Sequence, residues 1–182
     1  MNVAYHLHQL GLNSQLISAV GNDQSGRELL DVLKSFHLST ALIQVNNHYR
    51  TSEVMATINV QNHEVTYEIL APVAWDAINF EPEFIPLLEQ ADAFVFGTLG
   101  ARNSISRNTL LQMLDYGKYH VLDVNLRAPH YSPEIIDLLM GKAQLVKVNS
   151  NELLLMAQWF DNSHTKEMDI VEMLFERYGM QE

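Results

Sequence analysis

The stretch from His120 to Glu152 constrains the fold more than any other. It opens with His120-Val-Leu-Asp-Val-Asn-Leu-Arg127 and closes with Gln144-Leu-Val-Lys-Val-Asn-Ser-Asn-Glu152. Each end is a short apolar run of strand character that finishes in polar side chains. Pro133 to Met140, between them, has helical character. Two strands joined through a helix make a βαβ unit, because parallel strands need a crossover connection. In open parallel sheets the ligand crevice lies beyond the carboxyl ends of the strands. Asp123, Asn125 and Arg127 should therefore face the same crevice as Asn149 and Glu152. Carboxylates, amides and one guanidinium in such a place suit a polyol, or a phosphate with its metal ion. The bland alternative is that loops, which are polar, follow strands in any protein.

The flanking sequence extends this alternation. Asn2 to Leu10 reads as a helix with Val3, Leu7 and Leu10 on one face and Gly11 as its stop. Gln15 to Val20 reads as a strand, Gly21-Asn-Asp-Gln-Ser-Gly26 as a turn, and Arg27 to Phe36 as a helix with Leu29, Leu30 and Leu33 inward. The two glycines suit either a positive φ or a close backbone approach. Asp23 could serve only as a helix cap. Glu81 to Gln90, with Pro82 in its first turn, and Ser104 to Tyr116 are expected helices. Ala93-Phe-Val-Phe-Gly97 is an apolar run expected to be a strand buried on both faces. Ser104 is a candidate cap and Gly117 a candidate stop for the second of these helices. Two further helices are expected over Asn151 to Phe160 and Glu167 to Tyr178.

Between Ala41 and Leu70 the pattern changes. Leu42 to Val45, Glu53 to Val60 and Glu64 to Leu70 are strand-like, with Gln61-Asn62-His63 as a hairpin link. Successive strands without helices suggest a small antiparallel sheet apart from the βα units. It can be a lid, an edge sheet or a dimer surface. The expected class is α/β with a mainly parallel sheet flanked by helices. At 182 residues one domain is expected, with the lid at about 41–70 inside it.

Composition narrows the function classes. Cysteine is absent, which excludes disulfides, thiolate metal sites and a cysteine nucleophile. A net charge of −11 argues against nucleic acid and anionic membranes as partners, since both select a basic face. There is no apolar run long enough to span a bilayer, and no signal segment opens the chain. A cytoplasmic protein is the expectation.

Several segments together resemble the ribokinase-like (PfkB) carbohydrate kinases, and the bacterial fructokinases in particular. Asn2 to Gly11 followed by Gly21 to Gly26 is similar to the family's first signature. Arg50-Thr51 and the strands after it resemble the lid over the sugar. Pro72-Val-Ala-Trp-Asp76 resembles a fructokinase segment. Asp123-Val-Asn-Leu-Arg127 looks like the Asp-x-Asn-x-Arg element of fructokinases and ketodeoxygluconate kinases. Asn149-Ser-Asn-Glu152 matches the Asn-x-x-Glu motif associated with magnesium and phosphate.

The resemblance implies a ribokinase-like fold with a β lid after the first βα units, and ATP-dependent transfer of a phosphoryl group to a sugar hydroxyl. It implies ATP and Mg²⁺ as cofactors and a small sugar as substrate. Asn2, Asp23, Thr51, Asp123 and Asn125 would bind the sugar, and Arg127 would face the transferred phosphoryl group. Asn149 and Glu152 would order the metal through water, because Mg²⁺ dehydrates reluctantly. Asn2 could instead be a helix cap. A homodimer through the lid strands follows by analogy with some relatives.

Two departures from the family pattern are visible. The family opens with a strand bearing a sugar-binding aspartate and a Gly-Gly turn before the asparagine that matches Asn2. It closes with a Gly-Ala-Gly-Asp motif that supplies the anion hole and general base. Neither occurs in these residues. The expectation is a member shortened at both ends, inactive as an isolated chain. Tyr67-Glu-Ile69 lacks the Tyr-x-Arg of ketodeoxygluconate kinases, which favours a neutral sugar such as fructose. The alternatives are another kinase of the family, such as a ketodeoxygluconate kinase, and a non-catalytic sugar- or nucleoside-binding remnant. A dinucleotide-binding domain is disfavoured, because no Gly-x-Gly-x-x-Gly follows a strand and opens a helix.

Overall fold

A computed structural model describes residues 2–58, 65–161, 163 and 166–181 of the chain. The elements run α1 (Asn2–Gln9), β1 (Ser18–Gly21), α2 (Gln24–Ser35), β2 (Ile43–Asn46), β3 (Val54–Ile58), β4 (Val65–Ile69), α3 (Phe84–Gln90), β5 (Phe94–Gly97), α4 (Ser104–Met113), β6 (His120–Asp123), α5 (Pro133–Met140), β7 (Leu145–Lys147), α6 (Ser150–Phe160) and α7 (Glu167–Tyr178). The fold is α/β with parallel strand pairs and seven helices among the described residues. The chain divides into two compact units, Met1–Ile78 and Asn79–Glu182.

In the first unit β1 and β2 pair in parallel, with Ser18 opposite Ile43 and Gly21 opposite Asn46. This corrects the assignment of Leu42 to Val45 to the antiparallel sheet. The strand belongs to the βαβ unit β1–α2–β2. Its polar neighbours hid this, since a strand of four residues carries too little pattern to reveal its partner. The antiparallel sheet consists of β3 and β4 alone, paired from Val54 opposite Ile69 to Ile58 opposite Val65. The Gln61–His63 link lies outside the described residues. The core gathers Ala4, Val20, Leu33, Leu38 and Ile43, with Tyr5, Leu16, Leu29 and Leu30 packed against it. Helix α1 uses a different face from the expected one. Ala4 is buried, whereas Val3 and Leu10 are exposed. Gly11 follows at φ 77°, a left-handed stop that glycine takes without steric cost.

The second unit holds the β5–β6–β7 sheet, parallel throughout, with Phe94, His120 and Gly97, Asp123, Lys147 in register. Helix α5 is the crossover between β6 and β7, as the sequence pattern requires. Ser132 caps it by accepting from the Ile135 N–H, and Pro133 follows in the first turn, where its missing donor costs nothing. Leu122, Val124, Ile136, Leu139, Met140, Met156 and Ile170 are fully buried at the centre. Burying side chains of this size contributes about 1.5–3 kcal/mol each.

Three local expectations change. Val95 is exposed, so β5 has one covered face. Asn103, not Ser104, caps α4 by accepting from Ile105 N–H. Helix α3 starts at Phe84, leaving Pro82 outside it.

The end of α7 is tied to α5 by side chains. Asp137 Oδ1 accepts from Tyr178 Oη at 2.6 Å and from Arg177 Nη2 at 2.8 Å. The Tyr178 hydroxyl first, and then the Arg177 guanidinium, hold the Asp137 carboxyl below its ordinary range. A carboxyl depressed on folding stabilises the fold above its unfolded value of about 4, and that contribution is lost as pH falls through the folded value. Asp137 and Arg177 are each more than a third exposed, so the effect is under about 1 kcal/mol. Asp137→Asn should therefore lower the urea midpoint at pH 7, and the gap to the wild type should close as pH falls from about 5 to 2.

Candidate functional site

Each unit carries part of the expected set. In the first, the turn after β1 is built around Asp23. Its carboxylate caps α2, Oδ1 accepting from Gly26 N at 2.8 Å. Oδ1 also accepts from Thr51 Oγ1 at 2.7 Å, and Oδ2 from Thr51 N at 2.8 Å. Thr51 is 5% exposed, and its hydroxyl oxygen accepts from Gly21 N at 2.9 Å. A threonine hydroxyl has one proton, and here it goes to Asp23. In this conformation Thr51 has none to give to a ligand, so the residue shapes the turn. The Thr51 hydroxyl, then its N–H, then Gly26 N–H and the Arg27 charge hold the Asp23 carboxyl below its ordinary range against partial desolvation.

The glycines of the turn are required by close approach, not by positive φ. A Cβ on Gly21 would lie 2.5 Å from both Thr51 N and Asp23 Oδ2. A Cβ on Gly26 would collide with the Gly21 carbonyl and come within 2.8 Å of Thr51 Oγ1. Asn2 is the first residue of α1 and is exposed. Val73 and Ala74, in the Pro72 to Asp76 segment, are fully buried, and Ala74 N donates to Arg50 O at 2.8 Å. The strand of chain that carries Thr51 is thus fixed from two sides.

In the second unit, Asp123 ends β6 and Lys147 ends β7 in direct register. Their side chains pair at 2.9 Å. The hydrogen bond to Asp123 lifts Lys147 above the usual lysine range, with the Asp123 and Glu152 charges adding. Asn149 caps α6, its Oδ1 accepting from Glu152 N at 3.0 Å, while Glu152 Oε2 accepts from Asn149 N at 3.1 Å. This reciprocal capping box satisfies two helix-end donors. Glu152, 8% exposed, also reaches across to the β6 loop, where Oε1 accepts from Leu126 N at 2.8 Å. Asn125 and Arg127 are exposed, and Arg127 Nη1 donates to the Leu126 carbonyl at 3.1 Å.

The structure therefore brings Asp123, Lys147, Asn149 and Glu152 to the ends of adjacent strands, with Asn125 and Arg127 on the loop that Glu152 holds. Asp23 and Thr51 meet in the other unit. Sequence reasoning overlooked Lys147, although a lysine inside the apolar run Leu145-Val-Lys-Val148 was a visible signal. It also overlooked Thr98, a buried residue after β5 whose hydroxyl donates to Val124 O at 2.6 Å. No pattern in the sequence points to it.

Among the described residues no group of three His, Asp or Glu side chains could hold a metal ion. Glu152 already accepts one backbone N–H on each oxygen, and a carboxylate oxygen keeps a second lone pair. That donor set fits a hydrated Mg²⁺ held through water and not a dedicated protein cage. Among the described residues no helix is long and apolar enough to cross a membrane.

Comparison with known proteins decides the family. The sequence pattern of the pfkB family carbohydrate kinases matches residues 1–179. The chain belongs to that family. It is 28% identical over 160 residues to an ATP-dependent 6-phosphofructokinase of Thermoanaerobacterium thermosaccharolyticum, covering 83% of this chain and 48% of that one. It is 25% identical over 162 residues to a probable fructokinase-7 of Arabidopsis thaliana, covering 84% and 47%. The fold is similar to that of a fructokinase from Xylella fastidiosa, with a TM-score of 0.83 and 17% identity over 96% of this chain and 56% of that one. At that identity the likeness is one of fold. The chain spans about half the length of the curated relatives it matches.

Thr51→Val should leave the buried Gly21 N–H without its acceptor and remove one of the two donors to Asp23 Oδ1. We expect a loss of about 1–3 kcal/mol in urea unfolding, with Thr51→Ser close to the wild type. Gly21→Ala should cost at least as much, because the Cβ meets backbone that cannot swing aside.

Proposed function

We propose that this chain carries the sugar-facing and phosphate-facing residues of a fructokinase-like kinase, which transfers the γ-phosphoryl group of ATP to a hydroxyl of a small neutral sugar. The observation that carries the reading is the meeting of Asp123-x-Asn-x-Arg127 and Asn149-x-x-Glu152 at the ends of β6 and β7 in a chain of the pfkB family. Phosphoryl transfer asks for positioning and charge stabilisation more than covalent help from the protein.

In this reading Asn2, Asp123 and Asn125 offer amide and carboxylate groups to sugar hydroxyls. Within the first unit, Asp23 and Thr51 hold the Gly21–Gly26 turn, since their own hydrogen-bonding capacity is largely spent on each other and on the backbone. Arg127 offers its guanidinium to the transferred group, and its exposure leaves the fork accessible. Lys147 pairs with Asp123 and orients its carboxylate. Asn149 and Glu152 would hold water of a hydrated Mg²⁺, which would neutralise phosphate charge. The absence of Tyr-x-Arg at Tyr67-Glu-Ile69 supports a neutral sugar over an acid sugar. The whole is read as one partial ribokinase-like domain with β3 and β4 as its lid, in the cytoplasm, where ATP is available.

The Gly-Ala-Gly-Asp motif, with the general base, is absent from residues 1–182. We therefore expect no ATP-dependent phosphorylation of fructose or a small sugar panel by residues 1–182 with Mg²⁺. A chain extended by the flanking coding sequence should form ADP in a sugar-dependent manner. In the active form Arg127→Ala should lower kcat by about 10²-fold or more. Turnover by residues 1–182 would place the base within them, with Asp123 the first residue to test. No turnover by either chain would favour a sugar-binding remnant.

A further inference from the structure

The loop after β6 takes an unusual backbone path. Asn125 has φ 36°, one of two non-glycine residues with positive φ among the described residues. Asparagine tolerates that region better than most side chains, yet still at a cost that its surroundings must offset. A residue's φ and ψ are set by the two peptide groups on either side of its Cα. Here each of those groups is held by a buried side chain from another element.

The peptide before Asn125 is held through its carbonyl. Val124 O accepts from the Thr98 hydroxyl at 2.6 Å, and Thr98 is 3% exposed. Val124 N donates to Lys147 O at 3.0 Å, which continues the ladder to β7. On the β5 side the backbone has already left the sheet, because Thr98 starts a 3₁₀ turn in which its own carbonyl accepts from Ala101 N. A side-chain hydroxyl thus supplies the rung that the β5 backbone has abandoned. The peptide after Asn125 is held through its amide, since Leu126 N donates to Glu152 Oε1 at 2.8 Å. With one carbonyl and one amide anchored, the dihedrals of Asn125 have little freedom left.

We propose that Thr98 is a positioning residue of this site. Its hydroxyl, together with the Glu152 carboxylate, imposes the left-handed conformation of Asn125 and so presents Asn125 and Arg127 to the phosphate-bearing ligand. The part of this that concerns the ligand rests on the sugar-kinase reading above. Glu152 then has a second duty besides any contact with a hydrated cation: it fixes the loop from which Arg127 projects. Thr98 touches no ligand in this scheme and acts only through Val124 O.

The test is solution NMR on residues 1–182, comparing the wild type with Thr98→Val, Thr98→Ala and Thr98→Ser. Valine keeps the volume and loses the donor, alanine removes both, and serine keeps the donor. We expect the Leu126 amide to exchange with solvent about fivefold to tenfold faster in the valine and alanine variants, as for loss of one buried hydrogen bond. The strong amide-to-Hα cross-peak of a left-handed Asn125 should fade in both, and the serine variant should restore both signals. If valine or alanine prevents folding, Glu152→Gln tests the same clamp from its other side, with Thr98→Ser retained as the rescue control. Unchanged Leu126 exchange and an unchanged Asn125 cross-peak in a folded variant that lacks the Thr98 hydroxyl would overturn the proposal.

A titration with Mg·ATP of the chain extended by the flanking coding sequence, read at the Asn125 and Arg127 amides, covers the ligand. Shifts in the wild type and Thr98→Ser, weakened in Thr98→Val, are the expected result. If the wild type shows no shifts while the loop signals still divide the variants, the ligand role of Thr98 is refuted and the loop clamp stands. That outcome separates failure of the kinase reading from failure of the clamp.

Discussion

Glu152 holds two backbone N–H groups at once, and the site in the second unit depends on it. One oxygen closes the capping box with Asn149 at the start of α6; the other reaches Leu126 in the loop after β6. The two segments are far apart in sequence, and the carboxylate makes their relative position a matter of hydrogen-bond length. At 8% exposure the group is shielded from water, so each bond is worth more than on the surface, and removing the carboxylate would leave two orphaned donors. The sheet supplies the rest of the geometry. Gly97, Asp123 and Lys147 lie in register, so Thr98 and Val124, one residue further on, arrive at one level next to the Asp123–Lys147 pair.

The first unit solves a similar problem with a different group. Asp23 caps a helix and binds the amide and hydroxyl of Thr51, closing a contact between segments that are not neighbours in the chain. The closeness of these segments leaves no space for a Cβ at Gly21 or Gly26. In both units one carboxylate ties a helix N-terminus to a distant segment. The positive end of the helix dipole favours an anion there, which is one reason the device recurs.

The two carboxylates also limit what the chain can offer a ligand. A side chain whose acceptors are engaged with backbone is a poor candidate for direct substrate contact, whatever motif it belongs to. Asp23 and Thr51 are in that position. Asn125 and Arg127 are not, since their side chains face solvent from a loop held by others. Matching a motif selects positions in the sequence, whereas the hydrogen-bond inventory separates the residues that can meet a ligand from those that hold the frame.

Much of this was legible in the residues. The βαβ unit of β6, α5 and β7 could be read from the two apolar runs and the helical stretch Pro133 to Met140 between them, because helix and strand periods are local properties. The Asp123-to-Arg127 and Asn149-to-Glu152 segments were legible in the sequence, and the family was legible as a resemblance carried by several segments in order. What the sequence could not settle were matters of pairing. The parallel partnership of β2 with β1 follows from α2 packing on that pair, and four residues do not encode it. The buried face of α1 was set by Ala4 meeting the Val20–Leu33 core, against the larger Val3 and Leu10. Lys147 became the partner of Asp123, and Thr98 the anchor of Val124, only once β5, β6 and β7 lay side by side. Hydrogen bonds between segments distant in sequence depend on register, and register is decided by the packing of the whole unit.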